Sequence, residues 1–386
     1  MKPPCVRMPA LFAALLGALV GCGESVVVPE SANPIRIGLQ APLTGDMAYE
    51  GTGMQKAVSM LVEQTNAAGG IAGRPLELLV EDDRGSAAQA AVAANRLIER
   101  GVIAVIGGYN STATEVSAAV HSQAGLLQIT PAATATPISR NGYARFFRTC
   151  GTDDRQAMFV AELIDQQLGY SRVALLHDFS IYARGLADWT RASLVQRGLN
   201  VVYEDGINPD GSDFRRSLAD IAASGAQVVY FTGYWRQAGL LLEQAAQAGL
   251  HAKWMLGDAS NNPEVVRMAG VDNARGVIIT TAPLPGDLDY EAARTFRSAY
   301  AARYGGEPES VYWVLAADAY RLIEQAIRST GSTDPARLAG YLHGEVRGFA
   351  GISGTIDGFD ANGDRLGTMY KAYVVDSSGA IVPYRP

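Results

Sequence analysis

The sequence predicts an α/β fold made of two doubly wound lobes, on three observations. Short runs of Val, Ile and Leu alternate with longer amphipathic stretches, which is how parallel strands covered by helices on both faces read. This alternation runs through once from Ile35 and restarts near "YARFFRTCGTDD" (143–154). The chain has 386 residues, more than a single ordinary core holds.

Each element follows from its own pattern. "IRIGLQ" (35–40) is a strand, and "GMQKAVSMLVEQTNAAGG" (53–70) is an amphipathic helix with a glycine stop. "LELLVED" (76–82) is a strand, "SAAQAAVAANRLIER" (86–100) a helix, "VIAVIGG" (102–108) a strand, "TEVSAAVHSQAG" (114–125) a helix and "LLQIT" (126–130) a strand. After the restart, "MFVAELIDQQLG" (158–169) is a helix, "RVALLHD" (172–178) a strand and "ARGLADWTRASLVQRG" (183–198) a helix. "NVVYED", "AQVVYFTG", "KWMLGD" and "GVIITT" are further strands with helices between them. Two helices follow, at 290–304 and 310–330, and then 354–383 reads as antiparallel strands turning at "NG" and "SSG".

Composition narrows the function. Apolar residues make up 48% and charged residues 18%, a globular balance. The net charge is −7, the pI is about 5.3 and no basic cluster is present, which argues against a nucleic-acid partner. At the N-terminus, Lys2 and Arg7 precede "ALFAALLGALVG", an apolar run of signal-peptide length. It ends in "LVGC", the pattern of a lipoprotein signal. Residues 1–21 are therefore expected to be a signal peptide, with lipid on Cys22 and 22–34 as a tether. Each buried methylene of that lipid would add about 0.8 kcal/mol of membrane affinity. Cys5 leaves with the signal, so Cys150 is the remaining cysteine and no internal disulfide forms. It reads as a small buried hydrophobe.

Ligands of open α/β sheets bind beyond the carboxyl ends of the strands. The loops there hold Ser, Thr, Tyr, Trp, Asp and Gly and are nearly free of Lys. In "GGYNSTATE" (107–115), Thr112 and Glu115 match a capping box. A helix starting there offers free N–H groups and a dipole to an anion. "TPAATATP" (130–137) repeats the chemistry at the neighbouring strand, so Ser111 and Thr134 are placed to face one small anion. The same residues are equally readable as plain helix caps.

Other chemistries fit less well. No phosphate-loop or dinucleotide glycine motif is present. No G-x-S-x-G occurs, and "HD" at His177–Asp178 ends a strand, where it is more often structural. No metal motif occurs. "DANGDRLGTMYK" (360–371) imitates the start of a calcium loop but has Arg365 where Gly is needed and Lys371 where the closing Glu belongs. For a zwitterion, Asp258 offers a partner to an ammonium group, and Tyr182, Tyr234 and Trp235 offer walls.

The strand-end motifs, in order, resemble the periplasmic leucine/isoleucine/valine-binding proteins, the type 1 solute-binding proteins of ABC transporters. The resemblance covers the chain after the tether. It rests on "IGLQAPLTGDMA", "NAAGGIAGRPLELLVEDD", "VIGGYNSTAT", "ITPAATATP", "FFRTCGTDD", "VALLHDFSIYARG", "DFRRSLADI", "VVYFTGY", "AADAYRLIEQAI" and "FDANGDR". It implies two Rossmann-like lobes joined by a three-crossing hinge, 35–150 plus 281–350 and 151–280 plus 351–386. It further implies that Ser111 and the Thr134 hydroxyl and N–H take a ligand carboxylate. The Ala132 carbonyl and Asp258, where many members have Glu, would take the ammonium. Ala133 lies in the same loop, and Tyr182 and Tyr234 match aromatics that close over the ligand.

Three departures stand out. The disulfide that some members place between the loops after the second and third strands is replaced by "DDRGS" and Asn110. Glu50 falls where members that bind aliphatic amino acids place an aromatic, so either it points to solvent with Tyr49 in the gap, or the ligand is polar or cationic. Asp258 is one methylene short of Glu. The expectation is a lipid-anchored, monomeric binding protein in the periplasm or at the cell surface. It would deliver a small amino acid, branched-chain in type, to ABC permease subunits, without cofactor, metal or covalent chemistry. The rivals are an amide, urea or aromatic carboxylate as ligand, a sensor subunit, and a hydrolase.

Overall fold

A computed structural model describes residues 33–367 and 369–386. The signal, lipidation and tether expectations on 1–32, Cys22 included, lie outside the described residues.

The first sheet is built from β1 (Ile35–Ala41), α1 (Ala48–Ala67), β2 (Leu76–Asp82), α2 (Ala87–Glu99), β3 (Ala104–Gly107), α3 (Ser111–Gln123), β4 (Leu127–Thr130), the short α4 (Thr136–Ser139) and β5 (Phe146–Arg148). Its strands are parallel in the order β2-β1-β3-β4-β5. All four residues of β3 and all four of β4 are buried, as strands covered on both faces must be.

The second sheet repeats this winding. It uses α5 (Asp153–Glu162), β6 (Arg172–His177), α6 (Ile181–Gln196), β7 (Asn200–Gly206), α7 (Arg215–Ser224), β8 (Val228–Phe231), α8 (Trp235–Gln247), β9 (Lys253–Leu256), α9 (Pro263–Ala269), α10 (Val271–Ala274) and β10 (Ile278–Thr281). The order β7-β6-β8-β9-β10 is the first sheet's order again. In both sheets the winding reverses beside the first strand. The crevices lie between β1 and β3, and between β6 and β8. The fold is the expected α/β pair of doubly wound lobes.

The chain then returns to the first lobe through α11 (Glu291–Tyr304), α12 (Val311–Thr330) and α13 (Pro335–Gly344). The reading of two helices here is corrected to three. Asp334 caps α13, accepting from the Ala336 N–H at 3.1 Å, and Pro335 occupies its first turn. The antiparallel pair β11 (Phe349–Gly351) and β12 (Gly354–Ile356) follows. Phe349, Ile352, Ile356 and Phe359 are buried in the first-lobe core with α12 and β4. The return to the second lobe, expected at 351, therefore comes later. β13 (Lys371–Val375) pairs antiparallel with β10, and β14 (Ile381–Pro383) with β13.

A buried ion pair joins two of the crossings. Arg148, fully buried at the end of β5, meets Asp364 at 2.6 Å. Asp360 accepts from the backbone N–H of Asn362 and of Asp364, so the calcium-loop imitation is a turn. No group of three or more His, Cys, Asp or Glu able to hold a metal occurs among the described residues.

Candidate ligand-binding site

Helix α3 starts one residue after Asn110, whose side chain accepts from the Ala113 N–H at 2.7 Å. This corrects the Thr112–Glu115 capping box. Asn110 is the N-cap in place of Thr112 because its φ of −81° and ψ of 150° are extended and its amide oxygen takes the free Ala113 N–H. Ser111 thus becomes the first helical residue, with its N–H among those left free by helix geometry. The Asn110 amide also donates to the Gly85 carbonyl at 2.7 Å. It ties the loop after β3 to the loop after β2.

A small, nearly closed cavity lies between the two lobes. Ser111, Ala132 and Thr134 line it from the first lobe, and Tyr182, Tyr234 and Asp258 from the second. Six of the eight expected site residues therefore meet in one place, delivered by the loops that follow five strands, β3, β4, β6, β8 and β9. The Ser111 hydroxyl accepts from the Ala135 N–H at 3.3 Å, while the Thr134 hydroxyl is buried without a partner. No Lys or Arg lines the cavity.

Asp258 is 5% exposed and held by two phenols. Tyr182 donates to Oδ1 and Tyr312 to Oδ2, both at 2.7 Å. Burial raises this carboxyl above the usual carboxylate range, and the Tyr312 and Tyr182 hydroxyls offset part of the effect. Tyr182 and Tyr234 pack with ring centroids 5.6 Å apart. Tyr109 and Tyr312, both on the cavity wall, meet edge to face at 5.3 Å.

Two expected residues lie elsewhere. The Ala133 carbonyl accepts from Arg148 at 2.8 Å, which turns that residue to the hinge and away from the cavity. Glu50 neither points to solvent nor lines the cavity. It is 4% exposed, and Trp313 Nε1 donates to it at 3.1 Å. Burial pushes its carboxyl up to about 8, against the Ser310 and Trp313 side chains. Tyr49 packs tilted against the same indole, ring centroids 5.2 Å apart, and donates to Glu309 at 2.7 Å. Trp235 lines a wider groove outside the cavity, together with Asp46, Phe179 and Arg236.

The comparisons agree with this geometry. Residues 34–380 match the family described as periplasmic binding proteins. The chain belongs to the periplasmic binding protein family. A leucine-, isoleucine-, valine-, threonine- and alanine-binding protein of Pseudomonas aeruginosa is 32% identical, over 97% of both chains. Among solved structures, a leucine-binding protein of Thermotoga maritima matches with a TM-score of 0.83 and 26% identity, over 91% of this chain and 98% of that one. A branched-chain amino acid transporter substrate-binding protein of Streptococcus pneumoniae, in complex with isoleucine, matches with a TM-score of 0.82 and 26% identity, over 92% and 100%.

In this periplasmic binding protein, sequence reasoning missed Tyr109 and Tyr312. Tyr109 sits inside the quoted "GGYNSTATE" loop and was legible there. Tyr312 lies within the apolar run of α12 and carries no local mark of a cleft residue. The alternative nucleophile grouping is not supported: His177 Nδ1 accepts from the Phe179 N–H at 3.2 Å, and Asp178 from the Ser180 N–H at 3.0 Å. Cys150 is buried and its thiol is pushed up to about 12 by burial, as suits a packing residue. No helix among the described residues is long and apolar enough to cross a membrane.

Proposed function

We propose that this chain is the extracytoplasmic solute-binding component of an ABC importer, anchored by lipid on Cys22. It binds one small amino acid of the branched-chain type between its lobes and hands it to permease subunits. Ser111 and Thr134 take the carboxylate, with the free N–H groups at the start of α3 and the loop after β4. Asp258 and the Ala132 carbonyl take the ammonium. Tyr182 and Tyr234 close over the ligand, and hinge closure buries it.

The observation that carries this reading is the polarity of the cavity. Hydroxyls line one wall, a buried carboxylate lines the other, and no fixed cation competes for either. Such a site is matched by a zwitterion and poorly by a phosphate.

One observation favours the rival ligand class. Both Asp258 oxygens already have phenol donors, so the carboxylate is partly satisfied before any ammonium arrives. A carboxylate has about four acceptor sites, which leaves room for one. The test is equilibrium binding of L-amino acids to the wild type and to Asp258→Asn. Loss of amino-acid binding in the variant supports the reading. Equal binding of amino-free acids or amides by both proteins overturns it in favour of the rival.

A further inference from the structure

The loop after β4 brings Ala132 and Thr134 to the cavity wall. Most of its backbone donors are committed. The Ala132 and Ala133 N–H groups donate to the Thr130 hydroxyl at 3.4 and 3.1 Å, and the Ala135 N–H to the Ser111 hydroxyl at 3.3 Å. Among the described residues nothing accepts from the Thr134 N–H, although Thr134 is 2% exposed. Buried N–H groups are rarely left without an acceptor, so this one marks a place kept for a ligand.

A charge holds the other side of the same loop. Arg148, fully buried at the end of β5, donates through Nη1 to the Ala133 carbonyl at 2.8 Å. Nη1 and Nη2 both donate to the Ala135 carbonyl at 3.3 Å. The Ala133 carbonyl and the Thr134 N–H are the two ends of one peptide unit. That unit is trans and planar, so its two groups point in opposite directions. A carbonyl drawn to Arg148 therefore turns the N–H to the opposite side of the loop.

Arg148 has an anchor of its own. Its Nε pairs with Asp364 Oδ1 at 2.6 Å, and the Ser139 hydroxyl donates to Asp364 Oδ2 at 3.0 Å. Asp364 lies where the chain leaves the first lobe for β13, and there the Arg148 N–H donates to the Gly363 carbonyl at 3.0 Å. This close approach requires glycine, since a Cβ at 363 would lie 2.0 Å from the Phe146 carbonyl oxygen and φ is +79°. A planar guanidinium fork serves two carbonyls and a carboxylate at once, which a Lys ammonium on a flexible stem does not.

We propose that Arg148 is the positioning residue of the carboxylate wall. It aims the Thr134 N–H at the ligand, and Asp364, from the last crossing between the lobes, fixes Arg148 in turn. The inference rests on the amino-acid reading above and ties its carboxylate end to the hinge. No cation has to line the cavity, because the guanidinium polarises the far end of the peptide that donates. Asp364 balances that charge, so neither ion is buried alone.

The experiment titrates the full chain with L-leucine, L-isoleucine and L-valine, by calorimetry and by nuclear magnetic resonance of the Thr134 amide and the Arg148 guanidinium. In the unaltered protein, binding should move the Thr134 N–H proton downfield, as a new bond to a carboxylate does, and the Arg148 Nη protons should move with it through the shared peptide. In Arg148→Lys, affinity should fall about tenfold or more and the Thr134 displacement should shrink. Asp364→Asn keeps the shape and frees the guanidinium, so it should act the same way. A merely structural Arg148 would lower the melting temperature of the ligand-free variants and leave the Thr134 displacement at full size, which overturns the inference. Wild-type affinity in Arg148→Lys overturns it too. Where neither variant folds, the unaltered protein decides. Movement of both signals supports the inference, and binding that leaves either signal in place overturns it alone. If no amino acid binds the unaltered chain, the functional reading fails and takes this inference with it.

Discussion

Tyr312, on α12 of the first lobe, donates a 2.7 Å hydrogen bond to Asp258, which follows β9 in the second. The bond spans the cleft and ends on a buried carboxylate, so it links lobe closure to the ligand's own partner. The phenol of Tyr312 reaches Asp258 from the opposite lobe.

Removing that hydroxyl isolates its contribution. Tyr312→Phe is expected to weaken amino-acid binding by about 1.5–3 kcal/mol, the range for a hydrogen bond to a charged group. Titration calorimetry measures it, with ligand-free melting as the control for folding. The cross-lobe pair Arg236–Asp46, at 3.3 Å and with both side chains about half or more exposed, provides the contrast. Arg236→Ala is expected to cost no more than about 1 kcal/mol in the same titration.

Ser111→Ala tests the carboxylate wall. Its hydroxyl lines the cavity at the start of α3, so amino-acid affinity is expected to fall by about 1–3 kcal/mol. Amide analogues that lack the carboxylate should lose less. An equal loss for both would mean that Ser111 supports the loop and does not touch the ligand.

Asn110 performs two jobs, capping α3 and bridging to Gly85 at 2.7 Å. Asn110→Ala removes a cap worth about 0.5–2 kcal/mol and leaves a buried carbonyl unpaired. The expected loss of stability in urea unfolding is about 2–3 kcal/mol. Asn110→Asp keeps the cap and loses the donor to Gly85, so it should fall between the two.

Glu50 makes stability depend on pH in a definite direction. Its carboxyl is near 8 in the folded protein against 4.5 for the free group, so the folded state binds the extra proton between those values. The contribution is full below about 4.5 and is lost as the pH rises through about 8. Glu50→Gln is therefore expected to flatten the stability profile across that interval and to gain on the wild type at its alkaline end. Urea unfolding of both proteins across the interval measures it. Parallel profiles would show that Glu50 is ionised throughout.

The lobes were legible because their signal is periodic and repeated many times. The core strands β3 and β8 are short apolar runs, β4 and β9 are mainly apolar, and each is followed by a loop that breaks the pattern. The strand-end residues Ser111, Thr134, Tyr182, Tyr234 and Asp258 were legible for the same reason, since topology alone sends them to one crevice. What failed was local detail set by distant partners. Glu50 looked like a cleft residue by position, but Trp313, 263 positions away, holds it inside the first lobe. Thr112 matched a capping box in sequence, but the Asn110 side chain takes the Ala113 N–H and also bonds Gly85, 25 positions away. Tyr312 lies within a helix, where a cleft-facing residue has the same spacing as a core one. The extra stay in the first lobe up to Phe359 rests on side-chain packing of a two-stranded ribbon too short to carry a pattern.

Thermal melting of the ligand-stripped protein tests the central claim most directly. Single L-amino acids are compared with their amino-free counterparts, leucine against 4-methylpentanoate for example. A ligand at 100 times its dissociation constant adds about 2.7 kcal/mol to stability, which moves the midpoint by several degrees. The account predicts a rise with neutral aliphatic amino acids and none with the acids that lack the amino group. A rise with the amino-free acids or amides alone would contradict it, and would assign the carboxylate of this cleft to another task.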